Sequence, residues 1–200
     1  MIVVAVDDVD LTVAPGEIVA LLGEGDLLTH CFNGKPNRIL TPAGELRQAV
    51  REAMKRGLLL DIGHGGASFS FEVAELAIAQ GILPHTISSD IYCKNRIKGP
   101  VYSLAHVMSK FFAIGMTLEQ VLACVTHQAA DALRLPGKGR LEVGADADIT
   151  LFEVSCGPTL FTDTEAGTRN GDRQLLPLAA LVGGELVLTH YGKSHHAFCV

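Results

Sequence analysis

Three side chains able to hold a metal ion or move a proton recur at comparable points of the chain: His30 in "LLTHCFNG", His64 in "DIGHGG" and Asp90 in "HTISSD". Each stands where a short run of strand character ends. Neutral imidazole nitrogen and carboxylate oxygen suit zinc and its neighbours. Such an ion brings the pKa of its bound water to about 7, which supplies hydroxide at neutral pH, and Asp90 is then placed to accept a proton. Taken singly, each residue has an ordinary use. A histidine after a strand is commonly a hydrogen-bonded loop residue, and an aspartate there commonly caps a turn or a helix. Their coincidence at equivalent points of successive units is what points to one site. His85, His106 and His127 lack that placement and read as surface or helix residues, His195 and His196 as part of a tail, and Asp146 and Asp148 in "GADAD" as turn residues.

The elements that must position these groups alternate between apolar runs of strand length and amphipathic stretches. "MIVVAV" reads as a buried strand, followed by a short helix in "PGEIVALLG". "DLLTHCF" is the next strand and "GELRQAVREAMKRG" the next helix, with Leu46, Val50 and Met54 on one face and Gly57 as its stop. "LLLDIG" precedes a helix carrying Phe69, Val73, Leu76, Ala77 and Gln80 at helical spacing, all but Gln80 apolar, and "HTISSD" precedes the stripe Leu104, Val107, Met108, Phe111 and Phe112, which reads as core. A further helix opens at "TLEQ", where Thr117 and Gln120 have capping-box spacing.

Apolar strands linked by amphipathic helices predict an α/β fold with parallel strands covered on both faces, either a doubly wound sheet or a barrel. After "LPGKG" the character changes to strand-and-turn segments, so the expected organisation is an α/β unit over residues 1–135 and a β-rich segment over 136–200. Between its strands, "CGPTLFTDTEAGTRNGDRQ" reads as a polar loop. Functional groups of parallel β/α folds collect past the carboxyl ends of the strands. There the four strands deliver Asp7 and Asp8, then His30 with Asn33, then His64 between Gly63 and Gly65, then Asp90.

Composition narrows the partners. A formal charge of −6 over 200 residues argues against a nucleic-acid or anionic-membrane surface, which would need clustered Lys and Arg. Small molecules are the expected ligands. Five cysteines, odd in number and without a C-x-x-C pair, signal neither a disulfide framework nor a structural zinc site. With no signal-peptide pattern and no run of about 18 apolar residues, the expected location is the cytoplasm.

A rival reading comes from "GHGGAS", in which Gly63 and Gly65 occupy the first two positions of G-x-G-x-x-G, as in dinucleotide-binding units. Its third position is Ser68, and the acid ending the next strand falls later than the usual ~20 residues.

"GDLLTHCFNGK", "DIGHGGASFSFEVAELAIAQGILPHTISSDIY", "GPVYSLAHVMSKFFAIGMTLEQVLACVT" and "GRLEVGADADITLFEV" together resemble the amidohydrolase/deacetylase group of metal-dependent hydrolases, relatives of dihydroorotase in the amidohydrolase superfamily. The resemblance runs from about Pro15 to Val154. It implies a TIM-type (β/α)8 barrel binding zinc or another divalent metal and cleaving an amide or ester acyl group, such as an acetyl on a small carboxylated substrate, by metal-activated water.

Carried over residue by residue, His30 resembles the metal ligand after the sixth strand, and Asp90 the aspartate after the eighth that ligates metal and serves as general base and acid. His64, with Gly63 and Gly65 beside it, falls at the seventh-strand position that contacts substrate or leaving group, and Asn33 would help orient substrate. The sequence departs from the pattern by lacking an H-x-H and a fourth-strand lysine, and Asp7 stands where the fifth-strand histidine would align. Four β/α units agree with strands five to eight, half of a barrel, followed by sandwich strands. The implied metal is then weakly held unless the other half is supplied, by an N-terminal half chain or by self-association into a homo-oligomer. A catalytically inactive scaffold subunit is the alternative.

Overall fold

The structure, a computed structural model, describes residues 24–190. The predicted strand "MIVVAV", the helix "PGEIVALLG", and Asp7, Asp8, His195 and His196 lie outside the described residues.

The first described unit runs from β1 (Leu27–Leu28) through α1 (Gln48–Lys55) to β2 (Leu59–Leu60), and the two strands pair in parallel, Leu27 with Leu59 and Leu28 with Leu60. Parallel hydrogen bonding continues past them, from Leu59 N–H to the Asp26 carbonyl and from Cys31 N–H to that of Asp61. Helix α1 turns its apolar side inward through Ala53, with Val50 and Met54 against the core, and ends at Gly57, whose φ of 97° a side chain would resist.

Helix α2 (Phe71–Ala79) leads to a third parallel segment joined to β2 by the Asp61–Thr86 bridge, by Ile62 N–H to the Thr86 carbonyl and by His64 N–H to the Ser88 carbonyl. Three strand segments therefore lie side by side in chain order. The fold is α/β with the parallel pairing the apolar runs predicted.

Beyond it come α3 (Cys93–Lys98), α4 (Leu104–Ala113), α5 (Leu118–Val125) and α6 (His127–Ala132). The 107–112 stripe is buried as its spacing predicts, Val107, Met108, Phe111 and Phe112 all lying in the core. Thr117 and Gln120 make the reciprocal capping box, each side chain accepting from the other's backbone N–H. Among the described residues no helix is long and apolar enough to cross a membrane.

The β-rich segment is an antiparallel sheet of β3 (Ile149–Thr162), β4 (Thr168–Val182) and β5 (Glu185–Leu188). The polar-loop expectation for residues 156–174 is corrected here. That stretch is the distal half of the β3–β4 hairpin, closed by a turn at 163–167. One face of it is solvated, so polar residues alternate with inward ones such as Phe161, which is fully buried. The turn is held by the Asp163 carboxylate, which accepts from the backbone N–H of Glu165 and of Gly167. Strand β4 lies along α4, where Ser109 Oγ accepts from Leu175 N–H. Phe161 and Leu175 share one buried cluster with Phe69, Phe71 and Phe111, so both segments pack around a single core.

Candidate functional site

Beneath the rim, one buried carboxylate ties the three parallel strands together. Asp61 accepts from Thr86 Oγ1 at 2.6 Å, and from Thr29 Oγ1 and Ser88 Oγ at 2.7 Å each. Ser88 Oγ in turn accepts from Gly63 N–H. The charge is thus met by three hydroxyl donors, as a buried carboxylate requires.

Just past this brace the backbone leaves the regular strand. His30 (φ 58°), Gly63 (47°), Gly65 (53°) and Asp90 (45°) all take left-handed conformations. For His30 and Asp90 these are uncommon and costly, and they persist where surrounding structure imposes them. The glycines are needed for space as well. A Cβ on Gly63 would come within 2.6 Å of His30 Nδ1, and one on Gly65 within 2.5 Å of Asp90 Oδ2. His30 and Asp90 therefore rest on the two ends of the tripeptide Gly63-His64-Gly65. Of the predicted site residues, the structure brings these four backbone positions together.

The side chains divide into two environments. His30 is half-buried, and its Nδ1 lies 2.5 Å from the Gly63 carbonyl. A carbonyl only accepts, so Nδ1 carries the proton and the Nε2 lone pair is left available. His30 lines a pocket of about 450 Å³ together with Asn33, Lys35, Asn37 and Ser68. Asn33 braces that loop, donating to the His30 carbonyl and accepting from Lys35 N–H. Asp90 is exposed, and its loop is anchored by buried Asn95, which donates to the Asp90 carbonyl and accepts from Tyr92 N–H.

His64, read from sequence as facing substrate, is placed otherwise. Its side chain is fully buried, stacked on Phe69 at 4.5 Å between ring centroids, with Nδ1 2.9 Å from the Gly65 carbonyl and Nε2 2.7 Å from Lys110 Nζ. Both ring nitrogens are engaged inside the protein, and the ring does not line the pocket. Burial, then the nearby Lys110 charge, lowers its pKa to about 3. Lys110 is itself fully buried and is lowered to about 7 by desolvation, with Asp163 pulling the other way. His106, read as a surface or helix residue, lies on α4 and packs edge-on between Tyr102 and Phe161, and burial and Lys110 lower it to about 4.

The dinucleotide reading meets a physical obstacle. The glycines do not open directly onto a helix, because α2 begins at Phe71, and its first N–H is taken by the Asp163 carboxylate at 2.8 Å. At this helix N-terminus a protein carboxylate already occupies the place an anionic pyrophosphate would take.

As for the metal that the resemblance implies, His30 has the arrangement common in metal-bound imidazoles, one ring nitrogen held by a backbone carbonyl and the other free. Asp90 is an exposed carboxylate on the neighbouring strand end. These are donors of the right kind, but among the described residues no three His, Cys, Asp or Glu side chains come together as a metal site. Catalytic zinc ordinarily takes three protein ligands, so residues beyond those described would have to complete it.

Sequence reasoning missed Asp61, Asn95 and Lys110. Two carried a legible signal: Asp61 is the one charge inside "LLLDIG", and Lys110 interrupts the buried stripe "VMSKFF".

Strained residues at the ends of adjacent parallel strands place an imidazole beside a pocket and a carboxylate on the next strand end of an α/β segment. Comparison with known proteins finds relatives of this segment. Residues 141–187 match the family described as a deacetylase-like composite domain. A protein named deacetylase from Enterococcus faecalis is 42% identical over 171 residues, covering 85% of this chain and 46% of that protein. A solved structure titled as an adenine deaminase is 40% identical with a TM-score of 0.82, and one titled as a dihydroorotase is 39% identical with a TM-score of 0.73; each spans 84% of this chain, and 46% and 44% respectively of the solved chain. The chain is a relative of the amidohydrolase/deacetylase group, and it spans just under half the length of the proteins it matches.

Proposed function

We propose that this chain carries the His30 and Asp90 half of a metal-dependent hydrolase, corresponding to strands five to eight of a (β/α)8 barrel and the sandwich strands that follow. The reaction is hydrolysis of an amide or ester acyl group on a small molecule. The observation that carries this reading is the pairing of His30, its Nδ1 held by the Gly63 carbonyl, with Asp90 across the Gly63-His64-Gly65 backbone. The deacetylase, deaminase and dihydroorotase names of the relatives share a hydrolytic character, which supports a hydrolytic reaction.

His30 and Asp90 would hold the metal, with further ligands from outside the described residues. When bound, a divalent ion supplies an acidified water and a polarised carbonyl. The chain's own contributions are to aim the His30 ring by its Nδ1 bond, to present Asp90 as a proton acceptor, and to line the substrate pocket with Asn33. The remaining barrel strands would come from a preceding segment, an N-terminal half chain or a second copy. The shortage of ligands among the described residues leaves one alternative, a scaffold subunit that keeps the fold without metal.

Zinc titration by calorimetry, with the mass in solution measured on the same sample, separates the two. The hydrolase reading expects binding that His30→Ala abolishes. Binding unchanged in His30→Ala would sink the assignment of the ligand, and no zinc uptake in any assembly would leave the scaffold reading standing.

A further inference from the structure

We infer that Lys110, a residue of α4 distant in sequence from the rim, is the positioning residue that fixes the Gly63-His64-Gly65 tripeptide on which His30 and Asp90 rest; this role builds on the hydrolase reading. Its Nζ lies 2.7 Å from His64 Nε2, 2.8 Å from the Pro100 carbonyl and 2.7 Å from the Thr162 carbonyl. An ammonium has three protons and no acceptor, and three acceptors surround this one. They come from three separate parts of the chain: the rim, the loop after α3, and the last residue of β3.

The chemistry of these contacts is mutually consistent. His64 Nε2 accepts from Lys110, so the ring proton is on Nδ1, where the Gly65 carbonyl accepts it at 2.9 Å. The other tautomer would set Nε2–H against the ammonium and the Nδ1 lone pair against the Gly65 carbonyl oxygen. The ring is further pinned by stacking on Phe69. Asp90 Oδ2 packs against Gly65 and His30 Nδ1 against Gly63, so the His64 ring, bonded through Nδ1 to the Gly65 carbonyl and through Nε2 to Lys110, ties down the backbone on which both rim groups rest. The lysine thereby links the β3–β4 hairpin to the rim, because the Thr162 carbonyl that holds it adjoins the Asp163 turn that caps α2.

Nuclear magnetic resonance on the full chain, with ¹⁵N-labelled histidine, at pH 6 and without metal tests this directly. The expected spectrum has His64 neutral, protonated at Nδ1, with Nε2 in the range of a hydrogen-bond acceptor. An Nε2–H tautomer or an imidazolium at pH 6 overturns the inference. In Lys110→Met, amide exchange at His64 and Gly65, whose N–H groups bond to Ser88 and Ser89, should rise by roughly tenfold or more relative to Leu59 and Asp61 on the same strand. An even rise along the strand, or none, assigns Lys110 to general core packing and overturns the positioning role.

If Lys110→Met fails to fold, His64→Gln supplies the second test. Its amide oxygen can still accept from Lys110, but its carboxamide lies one bond further out than Nδ1 and no longer donates to the Gly65 carbonyl, so the Gly65 N–H, bonded to the Ser89 carbonyl, should exchange faster than that of Leu59; equal exchange overturns the inference. Neither measurement needs metal or activity. A wild-type chain that binds no zinc therefore removes the hydrolase reading alone, whereas zinc affinity unchanged in a folded Lys110→Met, where His30→Ala abolishes binding, removes the positioning role alone.

Discussion

Two lysines in this chain face opposite surroundings. Lys110 is buried among neutral acceptors, and desolvation lowers its pKa to about 7. Lys138 lies at the surface between Asp146 and Asp148, and hydrogen bonding to the two carboxylates raises its pKa. Charge complementarity is far better at Lys138, yet the expectation for stability runs the other way. An exposed ion pair exchanges water for a partner at little net gain. A buried ammonium leaves several desolvated groups unpaired if it is removed.

The largest effect should therefore come from Lys110→Met. It orphans the Thr162 and Pro100 carbonyls and His64 Nε2 in the interior, and three such groups imply a loss of roughly 3–5 kcal/mol in urea unfolding. A change within experimental error would show that methionine repacks the space without penalty and would erase the contrast between the two lysines.

Acid comes next. His64 titrates near 3 in the folded protein against about 6.5 unfolded, so the folded state favours the neutral ring. Its contribution is complete above pH 6.5 and is lost as pH falls from there towards 3, amounting to roughly 4–5 kcal/mol at the acid end. His106, lowered to about 4, acts in the same direction and window, and Lys110 and Asp163 are the charged groups nearby. In His64→Gln, which cannot charge, the decline of unfolding free energy between pH 6.5 and 3 should become shallower. A slope equal to that of the parent chain would assign the acid sensitivity elsewhere.

A smaller loss is expected at the rim. Gly65→Ala places a Cβ 2.5 Å from Asp90 Oδ2 on a backbone at φ 53°, costing about 1–3 kcal/mol. Gly81→Ala is the control, because its φ of 76° is equally strained but nothing lies within 4 Å of the new atom. The excess of the first over the second measures the contact with Asp90. Equal losses would mean that backbone strain alone is at work.

What the sequence shows and what it hides follow from the same physics. Periodicity exposed α1, α4 and α5, because each buries one stripe, and located α2, although Phe69 of its predicted stripe precedes the helix and Leu76 is exposed, and the apolar runs marked the parallel strands. The 156–174 hairpin was hidden because its polar residues are those of a half-solvated antiparallel pair, in which inward Phe161 alternates with outward neighbours. His30 and Asp90 were legible as strand-end residues. Which way His64 points was not, because that depends on Lys110, 46 residues away and within reach only once α4 packs against β4. A single residue type cannot announce whether its partner will be solvent or a buried amine.

The smallest effect separates charge from burial most cleanly. Lys138→Ala removes the charge between Asp146 and Asp148 and so deletes two close ion pairs. All three side chains are substantially exposed, and water replaces the lost partner. Asp148 keeps a second tie, since one of its carboxylate oxygens accepts from Gly183 N–H. The turn before β3 is thus held to the Gly183-Gly184 hairpin without the lysine. The thermal midpoint of Lys138→Ala should match the parent chain in 0.15 M salt, with any difference appearing only at low ionic strength, where screening is weak. A large drop at physiological salt would make the exposed cluster as important as the buried one, and burial would no longer be what distinguishes the two lysines.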